Sequence, residues 1–348
     1  MSGLGTTAVP NRRDSVNTFE DFEIMRCPKC TAGKLERSDS HIKCLSCAQT
    51  FPITDNIPQL FWPTEWDGSK QDVTDQIKAF YEKTPFPDYD EFDSIGSLVE
   101  KARRRVFGRL LDEQIPYGAR IIECGCGTGQ LTNFLSVAGR TTVGSDMCLN
   151  SLRMAQGFKE KNALKRAHFI QMNLFRPCFA PGTFDLVISS GVLHHTADPR
   201  LGFDTIAKLV KPHGYILIGL YHKYGRLSTD FRRFIFNITG DHFTRLDSRM
   251  GEQISQARKK SWFNDQYKNP HESKHTIAET LVWLKDNGFS FVKSIPKTVM
   301  FEPFKASEQL FVPDQLGSKL GMALVERGMM FTGGRDGGFF VVIARKNS

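Results

Sequence analysis

The chain has 348 residues, room for one large domain beside a small one and for a substantial core. It carries 46 Lys and Arg against 38 Asp and Glu, a formal net charge of +8, which admits nucleic acid or another anionic partner. No apolar run reaches the ~18 residues a membrane helix needs, so no membrane span is expected.

The first stretch, MSGLGTTAVPNRRDSVNTFEDFE, lacks an apolar core of the kind a secretory signal needs. Residues 1–22 therefore read as a disordered tail, and the chain as cytoplasmic. A small cysteine-rich unit spans 23–63, where Cys27, Cys30, Cys44 and Cys47 form two C-x-x-C pairs 13 residues apart. In a reducing compartment that spacing points to one structural zinc held by four thiolates in a ribbon, with two disulfides as the alternative. The following TFPITDNIPQLF resembles the end of the small zinc-ribbon family that activates tRNA and protein methyltransferases, with Asn56 where that family has glycine. A closed four-thiolate site has no position for a substrate, so its expected role is structural. Cys124, Cys126, Cys148 and Cys178 lie in or beside apolar segments and read as buried thiols.

Residues 64–96 read as a linker with a short helix from Asp75 to Lys83, ended by Pro85 and Pro87. Its aromatics Tyr81, Phe86 and Tyr89 either reach a neighbouring pocket or staple the linker. An amphipathic helix is expected over 97–114. Val99, Ala102, Val106 and Leu110 make its apolar stripe, and the arginines of KARRR (101–105) take the solvated side, so charge alone decides little.

A strand at 119–124 then runs into RIIECGCGTGQLTNFL, where Glu123 closes the apolar run and Gly125, Gly127 and Gly129 precede a helical pattern. Strand, glycine turn and helix make a nucleotide site in open α/β sheets. A dinucleotide fingerprint would need glycine at 130, where the chain has Gln130. The E-x-G-x-G-x-G order resembles motif I of the class I S-adenosylmethionine-dependent methyltransferases. A second strand, 141–146, ends in Asp146, placed to accept both hydroxyls of a ribose. The resemblance implies that Asp146 grips the cofactor ribose and that Met147 flanks the adenine. It also puts Asn173 near the adenine amine, where the family usually has aspartate, with Leu174 beside it. Ser190 and the loop Gly191-Val192-Leu193-His194-His195-Thr196 end the strand 184–190 and are expected to face the sulfonium. His194 or His195 is the candidate base for the acceptor's proton. The string FDLVISSGVLHHTADP resembles the small-molecule branch of the family, not the N-P-P-F or D-P-P-Y sequence of base-amine methylation.

Further strands read at 167–172, 214–222, 289–295 and from Gly337 onward, with helices at 199–211 and 276–287. Two insertions, 223–275 and 296–336, interrupt the domain 97–348. The first mixes aromatic and basic residues; Phe231, Phe234, Phe236, Trp262 and Tyr267 are candidate pocket walls or a packing stripe. Tyr81, Tyr221, His271 and His275 are candidates for the substrate pocket. His271-Glu272-Ser273-Lys274-His275 matches the metalloprotease H-E-x-x-H, but Asn269-Pro270 precedes it and Thr276 with Glu279 starts a helix only afterwards. A zinc protease is therefore not expected.

The resulting expectation is a Rossmann-like, seven-stranded methyltransferase sheet with an N-terminal zinc ribbon and two insertions. The implied activity is S-adenosylmethionine-dependent methyl transfer to an O, N or S nucleophile of a small or medium-sized acceptor. The alternatives are an RNA methyltransferase guided by ribbon and charge, or a non-catalytic cofactor-binding or activator module.

Overall fold

Four apolar, β-branched runs set the centre of the molecule: β5 (Arg120–Cys124), β6 (Thr141–Asp146), β7 (Ala167–Met172) and β8 (Phe184–Ser190). Each is buried along nearly its whole length, as parallel strands covered on both faces must be. The computed structural model describes residues 24–348 apart from 67, 69–70, 88–93, 241, 253–254 and 333–336. The N-terminal tail over 1–22 and Tyr89 lie outside the described residues.

Parallel pairing runs β7-β6-β5-β8 and continues to β9 (Val210–Tyr221). β11 (Phe339–Lys346) then inserts antiparallel between β9 and β10 (Phe289–Ile295). These seven strands do not form the whole sheet. The cysteine-rich segment adds β1 (Leu35–Arg37), β2 (His41–Cys44), β3 (Thr50–Thr54) and β4 (Ile57–Leu60), and β4 pairs in parallel with β7 at Gln59–Gln171 and Leu60–Met172. The expected seven-stranded sheet thus becomes a continuous eleven-stranded one. The ribbon needs a partner for its last strand, and β7 would otherwise be an open edge. Its start is fastened too: the backbone N–H of Arg26 donates to Cys178 and that of Ala180 to Ile24. Met25, Ile42, Phe51 and Leu60 share one apolar core with Ile122, Ile170 and Met172.

Helices α4 (Gln130–Val137), α5 (Leu149–Lys161), α6 (Pro199–Ala207) and α9 (Ile277–Asp286) connect the strands. The long helix expected over 97–114 is two, α2 (Ile95–Arg104) and α3 (Val106–Gln114), separated by Arg105 in an extended conformation. Before them α1 (Thr74–Lys83) docks on the start of α5, where both Glu82 carboxylate oxygens accept the free N–H groups of Leu149 and Asn150. The first insertion holds α7 (Leu227–Thr239) and α8 (Gln256–Phe263); the second ends in α10 (Lys319–Thr332). Buried lysines fasten the second: Lys293 meets Glu308 and Asp314, and Lys297 meets Glu302 and Glu308. No helix among the described residues is long and apolar enough to cross a membrane.

Candidate active site

The carboxyl ends of β5, β6, β8 and β9 open on one cavity of about 870 Å³, at the upper end of the range for small-molecule sites. A parallel sheet collects loops from several strands there, which is why residues distant in sequence meet at this edge.

The glycine loop forms its floor. Gly125 and Cys126 both donate N–H groups to the Ser145 carbonyl, at 2.7 and 3.0 Å, so the loop is tied to β6 as well as β5. Gly127 has φ +53°, and a Cβ there would stand 2.2 Å from the Phe86 carbonyl oxygen. The close approach that this glycine permits is thus made by the chain's own linker. The Thr128 hydroxyl donates to the Pro87 carbonyl, and Ser261 on α8 donates to that of Pro85, so residues 85–87 are clamped over the loop.

Asp146 anchors the other side. Its carboxylate accepts the N–H of Gly127 at 2.8 Å and that of Cys148 at 2.8 Å. A carboxylate has about four acceptor positions, so these N–H groups leave acceptor capacity for a ligand hydroxyl. Burial in the cavity wall raises its pKa while the N–H groups of Cys148, Gly127 and Met147 oppose the rise. Glu123 accepts the Thr132 hydroxyl; burial pushes its pKa up to about 7, with Thr132 pulling the other way and the Asp146 charge adding to the rise. Met147, Leu174 and Ser190 also line the cavity. Asn173 does not: its amide donates to the Trp62 carbonyl and Thr64 hydroxyl, and its oxygen accepts the Phe175 N–H. Its amide group is therefore spent on fixing the segment that leaves the ribbon.

The two adjacent histidines sit in a 3-10 turn, Leu193–His195, and diverge. His195 lines the cavity. Its Nδ1 lies 2.8 Å from the His271 carbonyl oxygen. A carbonyl only accepts, so Nδ1 carries the hydrogen in the neutral ring and Nε2 keeps a lone pair. Burial lowers its pKa, opposed by the charge of Asp265 and the His271 carbonyl, which favours the neutral ring. His194 is packed off the cavity wall, 3.9 Å between ring centres from Tyr221, and neither of its nitrogens has a partner among the described residues. A ring with two unsatisfied nitrogens and a strongly depressed pKa from burial is a neutral packing group.

His271 and His275 also lie off the cavity wall. His271 Nε2 bonds to the Thr196 carbonyl, and its own carbonyl orients His195. His275 bonds Ser273 and Glu279 and packs on Trp283 at the start of α9. Residues 271–274 are not helical and the two rings have separate partners, which removes a metalloprotease site. Thr276 caps α9 as its spacing with Glu279 suggested, although the Glu279 carboxylate turns to His275.

Tyr81 and Tyr221 close the far wall through a hydrogen-bonded series. Asn269 donates to the Tyr81 hydroxyl, which donates to Asp265 at 2.8 Å; Gln266 donates to both Asp265 and the Tyr221 hydroxyl. Burial raises both phenol pKa values, so both keep their protons. Asp265 and Gln266 were not singled out in the sequence. They reach the cavity together because residues Asn264–Lys268 form a π-helical turn, a local insertion that leaves no periodic trace. The available signal was one acid and one amide inside an aromatic insertion.

Away from this cavity, Cys27, Cys30, Cys44 and Cys47 bring their sulfurs within 4.8 Å of one another. Two of the pairs are 3.7 Å apart. A disulfide needs ~2.05 Å; four thiolates ~2.3 Å from a tetrahedral ion stand ~3.8 Å apart. Gly33 is required beside them, since a Cβ there would lie 2.3 Å from the Cys44 sulfur.

Comparison with known proteins agrees with the core of this geometry. The family of methyltransferase domains matches residues 122–218. An uncharacterized protein of Synechococcus is 26% identical over 200 residues, covering 50% of this chain and 48% of its own. The ubiquinone biosynthesis O-methyltransferase of Photobacterium profundum is 25% identical over 124 residues, 36% of this chain and 50% of its own. The chain thus spans about half the length of the curated relatives it matches. Among solved structures, a chain from the complex of the Haloferax volcanii Trm112 methyltransferase activator is 14% identical with TM-score 0.44, covering 75% of this chain and 100% of its own. An S-adenosylmethionine-dependent methyltransferase from Mesorhizobium loti is 18% identical with TM-score 0.43, covering 70% and 100%. Residues 122–218 are therefore a methyltransferase domain, and the sheet they belong to has the α/β methyltransferase fold.

Proposed function

We propose that the chain is a cytoplasmic enzyme that transfers a methyl group from S-adenosylmethionine to an O, N or S nucleophile of a small or medium-sized organic acceptor. One observation carries this reading: Asp146 and His195 line the same cavity, and the Nδ1 of His195 is already engaged by the His271 carbonyl. The residues suit the cofactor. Asp146 keeps acceptor capacity for ribose hydroxyls, and Met147 and Leu174 offer apolar surface for an adenine. When bound, the cofactor supplies an electrophilic methyl on its sulfonium. His195 then accepts the acceptor's proton at Nε2, while the His271 carbonyl stabilises the imidazolium through Nδ1. Tyr81 and Tyr221, held by Asp265 and Gln266, fix the far wall, so the protein's main contribution is alignment of the two reactants. Linker and insertion close over the site through residues 85–87 and Ser261, which favours a compact acceptor over a polymer.

The four-cysteine cluster is proposed to hold one structural zinc, supported by its tetrahedral sulfur spacing. Metal analysis of the purified protein tests it: about one zinc per chain is expected, and intact thiols without metal overturn it. For the activity, the protein is incubated with methyl-labelled S-adenosylmethionine and a cell extract divided into RNA, protein and small-molecule fractions. Label is expected in the small-molecule fraction. Label in RNA overturns the acceptor class, and cofactor binding with no label in any fraction makes the chain a non-catalytic module.

A further inference from the structure

Helix α7 has two unlike faces. Thr229 and Phe236 point inward, Phe236 against Phe263 and Tyr267. Half a turn away lie Leu227, Phe231, Phe234 and Ile238, at spacings of four, three and four, which puts them in one stripe along the helix. That stripe is open to solvent: Phe231, Phe234 and Ile238 are 65%, 62% and 67% exposed. Phe243 and Leu246, just beyond the helix in sequence, are exposed too, at 56% and 52%. So many large apolar residues in one run mark an interaction surface, since isolated exposure needs no explanation but a contiguous patch does.

Charge selects the partner. Residues 223–275 carry eleven Lys and Arg against six Asp and Glu, an excess of five in a chain whose whole excess is eight. Lys223, Arg245, Lys260 and Lys268 are exposed there. An anionic surface complements the net positive charge of the insertion that carries the stripe. The same insertion walls the cavity through Trp262, Asp265 and Gln266.

We infer that the outer face of α7 docks on an anionic lipid bilayer, with its aromatic stripe at the headgroup level and the basic insertion against the lipid charge. This inference does not rest on the methyl-transfer reading, because membrane docking is read without cofactor or acceptor. The test is co-sedimentation of the full chain with phosphatidylcholine vesicles, with and without phosphatidylglycerol. Binding to the anionic vesicles is expected, weakening as salt is raised because screening shortens the reach of the lipid charge. Phe231→Ser with Phe234→Ser should lower that binding at least about tenfold, two apolar anchors being withdrawn. Both residues are exposed, so an unchanged melting curve is expected and separates lost docking from lost folding. Absence of binding to anionic vesicles overturns the inference. So does a concentration-dependent dimer that the same two substitutions abolish, which would make the stripe a contact between copies.

Discussion

The base of the first insertion is closed by a buried ion cluster, and its removal has a calculable effect. Arg226, at the start of the insertion, is fully buried and donates to both oxygens of Glu272, at its end, and to Gln266 and the Gly337 carbonyl. Arg233 adds a second cation at 2.8 Å from Glu272. Burial alone would raise the Glu272 pKa, but the hydrogen bonds and charges of Arg226 and Arg233 outweigh it and hold the carboxyl at about 2. Against an unfolded value of 4.5, that depression corresponds to about 3 kcal/mol of stability, present above pH 4.5 and lost as pH falls through the folded value. Glu272→Gln keeps the shape and removes the charge, leaving buried guanidinium uncompensated, so a loss of about 3 kcal/mol is expected near pH 7. Urea unfolding of both proteins measures it. By about pH 3 the gap should have fallen to roughly half, because the unfolded chain has then taken up the proton while the native carboxyl is still mostly charged. A gap below about 1 kcal/mol at pH 7, or one that does not change with pH, would refute the reasoning.

Two further outcomes test the cavity. Asp146→Ala removes two charged acceptors, each worth about 1.5–3 kcal/mol, so calorimetry should show cofactor affinity reduced by more than about a hundredfold; an unchanged affinity takes Asp146 out of the site. His195→Ala should lower kcat about 10²- to 10⁴-fold while cofactor affinity holds. Because burial lowers the His195 pKa below its ordinary 6.5, activity in the unaltered protein should persist as pH falls past 6.5 and decline only further down. Decline setting in above pH 6.5 would count against His195 as the base.

The strands at 141–146, 167–172, 184–190 and 289–295 were legible from apolar runs bounded by glycine and acid, because buried parallel strands write themselves as such runs. The helix over 97–114 was read too long: the apolar stripe continues through Arg105, whose extended backbone divides it into two helices. β9 begins at Val210, four residues before its apolar run, since His213 at φ +63° lets the chain pass a bulge and stay in the ladder. The histidine pair could not be separated by sequence, because neighbours in one tight turn point to different neighbours. Asn173 misled for a related reason: its partners Trp62 and Thr64 lie more than 100 residues earlier, in the ribbon's exit. Asp265 and Gln266 were missed because a π turn has no repeating pattern.

The attachment of β4 to β7 also changes what the sheet offers to other molecules. β7 carries Ala167, Phe169, Ile170 and Met172, all buried, a row that as a free edge would invite strands from neighbouring chains. With the ribbon in place that border of the sheet moves to β1, three residues long, with Glu36 and Arg37 exposed. An edge so short and so charged is a poor template for another strand. The strands of the cysteine-rich segment thus cover the β7 border, while β10 bounds the opposite side of the sheet.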